Sequence, residues 1–517
     1  MATRKATPQT GLKPRGMLPG MPPLERRIVP GIAFAIVVLH LVFATRYGWF
    51  RDELYYVACG RRLALGYVDH PPVVALLARL AGHSLVTLRL VVALAAAGTI
   101  LLVGALARAF GGGRAAQIIA ALAIALAPYE LVIGHLYTMN GIEPVVWAAI
   151  GLLVAHALRD EDARRLVWLG PIVGLGVLDK HSASWAVVAL AIGIAISPAR
   201  RLLVRRGTLI GAMIAVFIVL PHALWQYENG FPTREFARVA LDGKNEPYGL
   251  AGLLGQLLQL FHPLLAPLWM GGLAGLLAWR RFRPFGVAVL LVGGLVFVTQ
   301  AKAYYLGPAF TWLLAAGGVV AERAMQRRVG RWLVPAYAAV AVVGALALIP
   351  VAIPVLEVPA YQRYARALGM LGETRTGEKT RPAALPQLYA DMHGWPELAA
   401  TVRGVVDGLS PEEREGAVIF ATNYGEASAI EHFGSALPVV SGHTGWWLWG
   451  TPRPAPPVVV WVGHREELQR ELFADCEERA RFDHPLVRAE EQDLPVRVCR
   501  GPRVTLAEAW PRLKTYR

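Results

Sequence analysis

The chain has 517 residues, of which 55% are hydrophobic and 17% charged, whereas a soluble protein of this size carries about a quarter charged residues. Its net charge of +15 does not mark a nucleic-acid binder, because Arg and Lys fall in short gaps between long apolar runs and are not gathered on one polar domain with aromatics between them. An ordinary soluble enzyme is excluded, and a polytopic α-helical membrane protein is predicted.

Residues 1–27, rich in Pro, Gly and basic residues, are too long and too irregular for the basic start of a signal peptide and read as a disordered cytoplasmic tail. About eleven apolar segments follow, at 28–45, 84–107, 115–134, 143–158, 166–178, 183–197, 208–224, 250–275, 285–299, 304–321 and 332–354. The basic clusters RDEDARR, PARRLLVRR, RRFRP and RAMQRRVGR lie in alternate gaps, as positively charged cytoplasmic loops do. With the tail inside, an odd number of crossings puts the C-terminus outside. The gaps at 46–83, 135–142, 179–182, 225–249 and 300–303 then share the outer face, and they hold every unusual polar cluster of the membrane region, 28–354.

The first outer loop, 46–83, opens with Arg51, Asp52 and Glu53 beside Tyr47, Trp49 and Phe50. An interfacial anchor would use aromatics with Lys or Arg; adjacent carboxylates gain nothing from lipid, which favours a functional role. The stretch LYYVACGRRLALGYV has roughly helical apolar spacing and suits an amphipathic helix along the membrane surface. Asp69 and His70 close the loop before paired prolines, where they suit a phosphate site, a metal site or a helix cap equally. Glu143, followed by Pro144, fits the first turn of a helix as well as a binding role. Asp179, Lys180 and His181 share one short turn. Lys302, Tyr304 and Tyr305 stand at another outer helix entrance, as an aromatic belt with a snorkelling lysine or as a site for an anionic headgroup.

From 355 to 517 the apolar runs shorten, and GAVIFATNYGEASAIEHFG and PPVVVWVGHREELQRELF read as strand, loop and helix of a small extracytoplasmic α/β domain. Cys476 and Cys499 either pair outside the membrane or stay as two thiols, with Cys59 left over.

Outer-face carboxylates, cations and tyrosines suit transfer of a sugar from a polyprenyl phosphate. A phosphate leaves as a stable anion without a general acid, so one basic carboxylate and positive charge at the leaving group are enough. Direct attack by the acceptor inverts the anomeric carbon. The motifs FRDELYYVACGRRLALGYVDHPPVVALLARL, YTMNGIEPVVW, GLGVLDKHSAS, AKAYYLGPAF and NYGEASAIEHFG, in this order, resemble the bacterial branch of glycosyltransferase family 39, GT-C membrane enzymes that include protein O-mannosyltransferases and lipid A aminoarabinose transferases. The resemblance implies a GT-C membrane domain in the bacterial inner membrane that moves a hexosyl or pentosyl group to a glycan, lipid or protein acceptor.

It further implies Asp52 as catalytic base with Glu53 beside it, and Asp69 and His70 in the first outer loop near the lipid phosphate. His70 stands where relatives often carry a cation, so it is either protonated or joined with Asp69 in holding a divalent metal ion. Glu143, Lys180, Lys302, Tyr304, Tyr305 and Arg51 complete the expected donor site. A carrier or flippase, or a binding-only relative, is the alternative; transporters use midplane sites and internal repeats, and neither is visible here.

Overall fold

The computed structural model describes residues 20–82, 84–243, 247–370 and 383–516. Residues 1–19 of the expected tail and 371–382 of the C-terminal part lie outside the described residues. Residues 20–27, read from sequence as part of a disordered tail, are instead fastened to the helices beside them. Arg108 Nε donates to the Pro22 carbonyl at 2.6 Å and Gln117 Nε2 to that of Pro23 at 3.0 Å. Glu25 accepts from the Val29 amide at 2.7 Å and so caps the first helix.

Every predicted apolar segment falls on helix, beginning with Ile28–Val42. Among the described residues, four helices are long and apolar enough to cross a membrane: Leu85–Ala109, Arg206–Glu228, Ala303–Met325 and Gly330–Ala352. Leu250–Leu260 and Pro263–Ala278 reach that length only together, bent by 98°. The single straight span expected over 250–275 is therefore broken, because Pro263 lacks an amide hydrogen and His262 before it takes a left-handed backbone (φ +61°). Ile28–Val42, Arg114–Ala125, Ala183–Ala195 and Arg283–Val298 are apolar but shorter, so helix length does not establish the expected eleven crossings. At the centre lies Ala303–Met325, whose buried Trp312 donates to the Trp147 carbonyl at 2.9 Å. Its Gly317 lies against the backbone of Leu268, where a Cβ would collide, a close approach typical of packed membrane helices.

The first outer loop folds into Arg51–Arg61 and Pro72–Ala81. The helix expected along the membrane surface is covered rather than exposed: residues 54–60 are all buried, between Pro72–Ala81 on one side and the C-terminal part on the other. Arg61 and Arg62 meet Glu431, with Arg62 bidentate at 3.0 and 2.8 Å and stacked on Trp446 and Trp449.

The C-terminal part carries one five-stranded sheet: β1 (Val418–Ala421), β2 (Val439–Ser441), β3 (Val458–Val462), β4 (Phe473–Phe482) and β5 (Leu494–Pro502), in the order β2-β1-β3-β5-β4. β1 runs parallel to β2 and β3, while β5 is antiparallel to both β3 and β4. β1 and β3 are buried along their whole length and read as unbroken apolar runs; edge strand β4 carries Glu477, Glu478, Arg479 and Arg481. Cys476 and Cys499 stand opposite each other on β4 and β5 and form a disulfide, leaving Cys59 free and buried.

Candidate active site

The two adjacent carboxylates of the first loop separate because successive residues on a helix point about 100° apart. Glu53 turns inward and is fully buried. Its carboxylate receives Arg89 Nε and Nη2, both at 2.9 Å, the Tyr137 amide at 3.0 Å and the Phe50 amide at 2.8 Å. Arg89, equally buried, also donates to the carbonyls of Ala44 at 2.8 Å and Gly48 at 2.9 Å. This pair ties the end of the first helix, the turn after it and the start of Arg51–Arg61 into one unit. The expected catalytic role of Glu53 is therefore corrected: its oxygens are occupied and it does not line the cavity.

Asp52 turns outward into a cavity of about 460 Å³. Its polar lining includes Arg51, Asp52, Asn140, Lys302, Tyr304 and Asp391. The remaining wall is mostly aliphatic, from Val132, Ile133 and Leu136, Leu260 of the bent pair, and Leu348 and Val351 of Gly330–Ala352. Arg51 Nε lies 3.8 Å from Asp52 Oδ1, and Arg51 Nη1 lies 3.8 Å from Asp391 Oδ1. Burial alone would lower the Arg51 pKa; Asp391, Tyr424 and Asp52 push it up instead, so the guanidinium stays charged. The Asp52 Oδ1 atom accepts a 2.6 Å hydrogen bond from the Tyr424 hydroxyl.

A second cluster borders the first. Lys180 Nζ lies 2.5 Å from Glu143 Oε2 and donates to Asn140 Oδ1 at 2.9 Å, and Ser182 Oγ donates to Glu143 Oε1 at 2.5 Å. The ammonium group sits over the rings of Tyr305 (4.5 Å) and Tyr304 (5.6 Å), and Lys302 lies over Tyr304 at 5.7 Å. The residues expected from three separate gaps, Glu143, Lys180, Lys302, Tyr304 and Tyr305, are thus brought together. Their parts differ from expectation: Lys302 and Tyr304 reach the cavity, while Lys180 and Glu143 neutralise each other and Tyr305 backs them.

Asp69 and His70 do not join the cavity lining. Asp69 Oδ1 accepts from Tyr55 Oη at 2.8 Å. His70 is fully buried, with Nδ1 2.8 Å from the Pro71 carbonyl and Nε2 3.6 Å from Cys59 Sγ, and its ring stacks on Tyr67. Burial lowers its pKa against the pull of Asp69, so the imidazole is neutral. Burial likewise raises that of Asp69, opposed by His70 and the Tyr55 hydrogen bond. The phosphate-ligand expectation for His70 is therefore corrected, since a neutral ring committed at both nitrogens offers a phosphate no charge. Among the described residues no group of three or more His, Cys, Asp or Glu side chains gathers to hold an ion.

Three contributors were missed in the sequence. Arg89 is a lone cation inside an apolar helix, a costly placement that should have marked it. Asp391 and Tyr424 reach the site from the C-terminal part; Asp391 carries no local signal of doing so, and Tyr424 lies in the NYGEASAIEHFG motif, which does not by itself point to Asp52.

A family model described as dolichyl-phosphate-mannose-protein mannosyltransferase matches residues 69–225. The structure resembles that of ArnT from Cupriavidus metallidurans bound to undecaprenyl phosphate, with 17% identity over 91% of this chain and 97% of that one and a TM-score of 0.57. It also resembles the arabinofuranosyltransferase AftD from Mycobacteria, with 16% identity over 92% of this chain and 40% of that one and a TM-score of 0.53. No curated protein matches the sequence. The chain is a multi-pass membrane protein with the GT-C fold.

Proposed function

We propose, from this fold and this cavity, that the protein is an inverting glycosyltransferase that moves a sugar from a polyprenyl-phosphate donor to an acceptor on the outer face of a bacterial cytoplasmic membrane. The observation that carries the proposal is the cavity itself, whose mostly aliphatic lining is joined by the carboxylates Asp52 and Asp391 and the cations Arg51 and Lys302. An apolar lane suits a polyprenyl chain, and Arg51 and Lys302 suit its phosphate. Gln256 and Gln259, on the same wall, offer uncharged partners for sugar hydroxyls.

In the proposed reaction the acceptor hydroxyl gives its proton to Asp52 while its oxygen bonds to the anomeric carbon. The bond from that carbon to the phosphate oxygen breaks, and its electron pair leaves with the phosphate. Arg51 and Lys302 bear the charge of the departing phosphate. The paired Glu143 and Lys180 hold Asn140 and the Tyr304–Tyr305 face in place beside it. The alternating basic loops support an N-terminus inside and the C-terminal part outside.

A carrier of lipid-linked sugars is the second reading. The 98° break between Leu250–Leu260 and Pro263–Ala278 favours it, since carriers build sites at broken helices and the first of these helices lines the cavity. Purified protein in vesicles, given a panel of polyprenyl-phosphate sugars, separates the two. Release of sugar-free polyprenyl phosphate with sugar joined to an acceptor is expected. Passage of intact donor across the bilayer without cleavage would replace transfer by transport.

A further inference from the structure

We propose that the C-terminal part of the chain is a working piece of the catalytic centre, and that Tyr424 is a positioning residue for the Asp52 carboxylate. This rests on the reading of Asp52 as the base and adds what aims it. The bond from the Tyr424 hydroxyl to Asp52 Oδ1, at 2.6 Å, has the length of a charge-assisted O–H···O⁻ contact. It occupies one carboxylate oxygen and leaves Oδ2 for the acceptor's proton. Burial and the neighbouring Asp52 raise the phenol's pKa, while Arg51 opposes them, so the phenol keeps the proton it donates.

The phenol is itself held on a rigid mount. Tyr424 is the first residue of the helix Tyr424–His432, whose start is locked by a reciprocal cap. The Glu426 amide donates to Asn423 Oδ1 at 2.9 Å, and Asn423 Nδ2 donates to Glu426 Oε1 at 2.7 Å. Its ring lies 5.1 Å from the Arg51 guanidinium and 4.9 Å from the Tyr55 ring. Gly425 lets this helix approach so closely: a Cβ there would lie 2.6 Å from Arg51 Cγ. A second tie comes from the same part of the chain, where the Asp391 carbonyl accepts from the Arg51 amide at 3.0 Å and the Asp391 carboxylate faces the Arg51 guanidinium at 3.8 Å. The base and its neighbouring cation are therefore both oriented from outside the membrane helices.

The test compares Tyr424→Phe with Glu431→Gln in the full-length protein in lipid. Glu431→Gln weakens the Arg62–Glu431 contact between the same two helices without touching Asp52. Tyr424→Phe keeps the ring but removes the hydroxyl. It is expected to lower kcat by about tenfold to a hundredfold while donor KM stays within about twofold. Glu431→Gln should leave kcat as in wild type. A wild-type kcat in Tyr424→Phe overturns the inference, and so does an equal loss in both variants, which would mark a docking effect. Asp52→Asn run alongside separates the layers. An inactive Asp52→Asn beside a normal Tyr424→Phe overturns the positioning role alone, whereas an active Asp52→Asn removes the base itself.

Discussion

Glu53 and Arg89 provide the sharpest separation between holding the site and doing its chemistry. Both side chains are fully buried, and their two parallel bonds of 2.9 Å form a bidentate pair. Removing one partner of such a pair leaves the other charge buried and uncompensated, which costs about 3–5 kcal/mol. Glu53→Gln should therefore lower the folded-to-unfolded ratio by roughly two to three and a half orders of magnitude. Arg89→Met should do the same, since it leaves the Glu53 carboxylate with only the Phe50 and Tyr137 amides as donors. The double variant Glu53→Leu/Arg89→Leu should recover part of the loss by removing both charges, but the carbonyls of Ala44 and Gly48 lose their donor in it. Equilibrium denaturation in mixed micelles reads the stability, and transfer measured on the surviving folded fraction reads the chemistry. The reasoning is refuted if Glu53→Gln folds as well as wild type, or if its folded fraction has no activity.

The buried histidines should count against stability on mild acidification. His70 and His393 are held neutral chiefly by burial, His393 down to about 4 with His484 adding to the effect, so the unfolded chain takes up protons near 6.5 that the folded chain refuses. Their contribution is complete above 6.5 and drains as pH falls toward the folded values, while Asp69 and Glu426, raised by burial, act the other way; relative to wild type, His393→Phe should gain stability at about pH 5 compared with about pH 8, and an unaltered pH dependence of its unfolding midpoint would contradict this. Gly425→Val should displace Arg51 and reduce transfer at least about tenfold while leaving the disulfide intact; wild-type turnover would show that this approach is not needed. Lys302→Ala should weaken binding of sugar-free polyprenyl phosphate by about 1.5–3 kcal/mol, measured by direct titration, and unchanged affinity would remove Lys302 from the phosphate site.

The apolar segments were readable because lipid demands long runs without charge, and helix is found on each of them. Asp52, Arg51, Lys302 and Tyr304 stand out in the sequence because polar residues beside a membrane are costly unless used, and all four line the cavity. What failed were directions and distant partners. Glu53 adjoins Asp52 in sequence but points about 100° away from it around the helix, and only the fold reveals that its partner is Arg89. His70 reads from sequence as a protonated phosphate ligand or a metal ligand, and only the fold places Pro71 and Cys59 against its nitrogens. The contact between Tyr424 and Asp52 joins residues 372 positions apart, and no local pattern encodes it. The bend at His262 was signalled by Pro263 but was hidden within a continuous apolar run.

The central claim is tested most directly by sugar transfer in lipid, wild type against Asp52→Asn, with donor binding measured on both. The account predicts that wild type forms product while Asp52→Asn binds donor with unchanged affinity and forms none. Turnover by Asp52→Asn at the wild-type rate would contradict it.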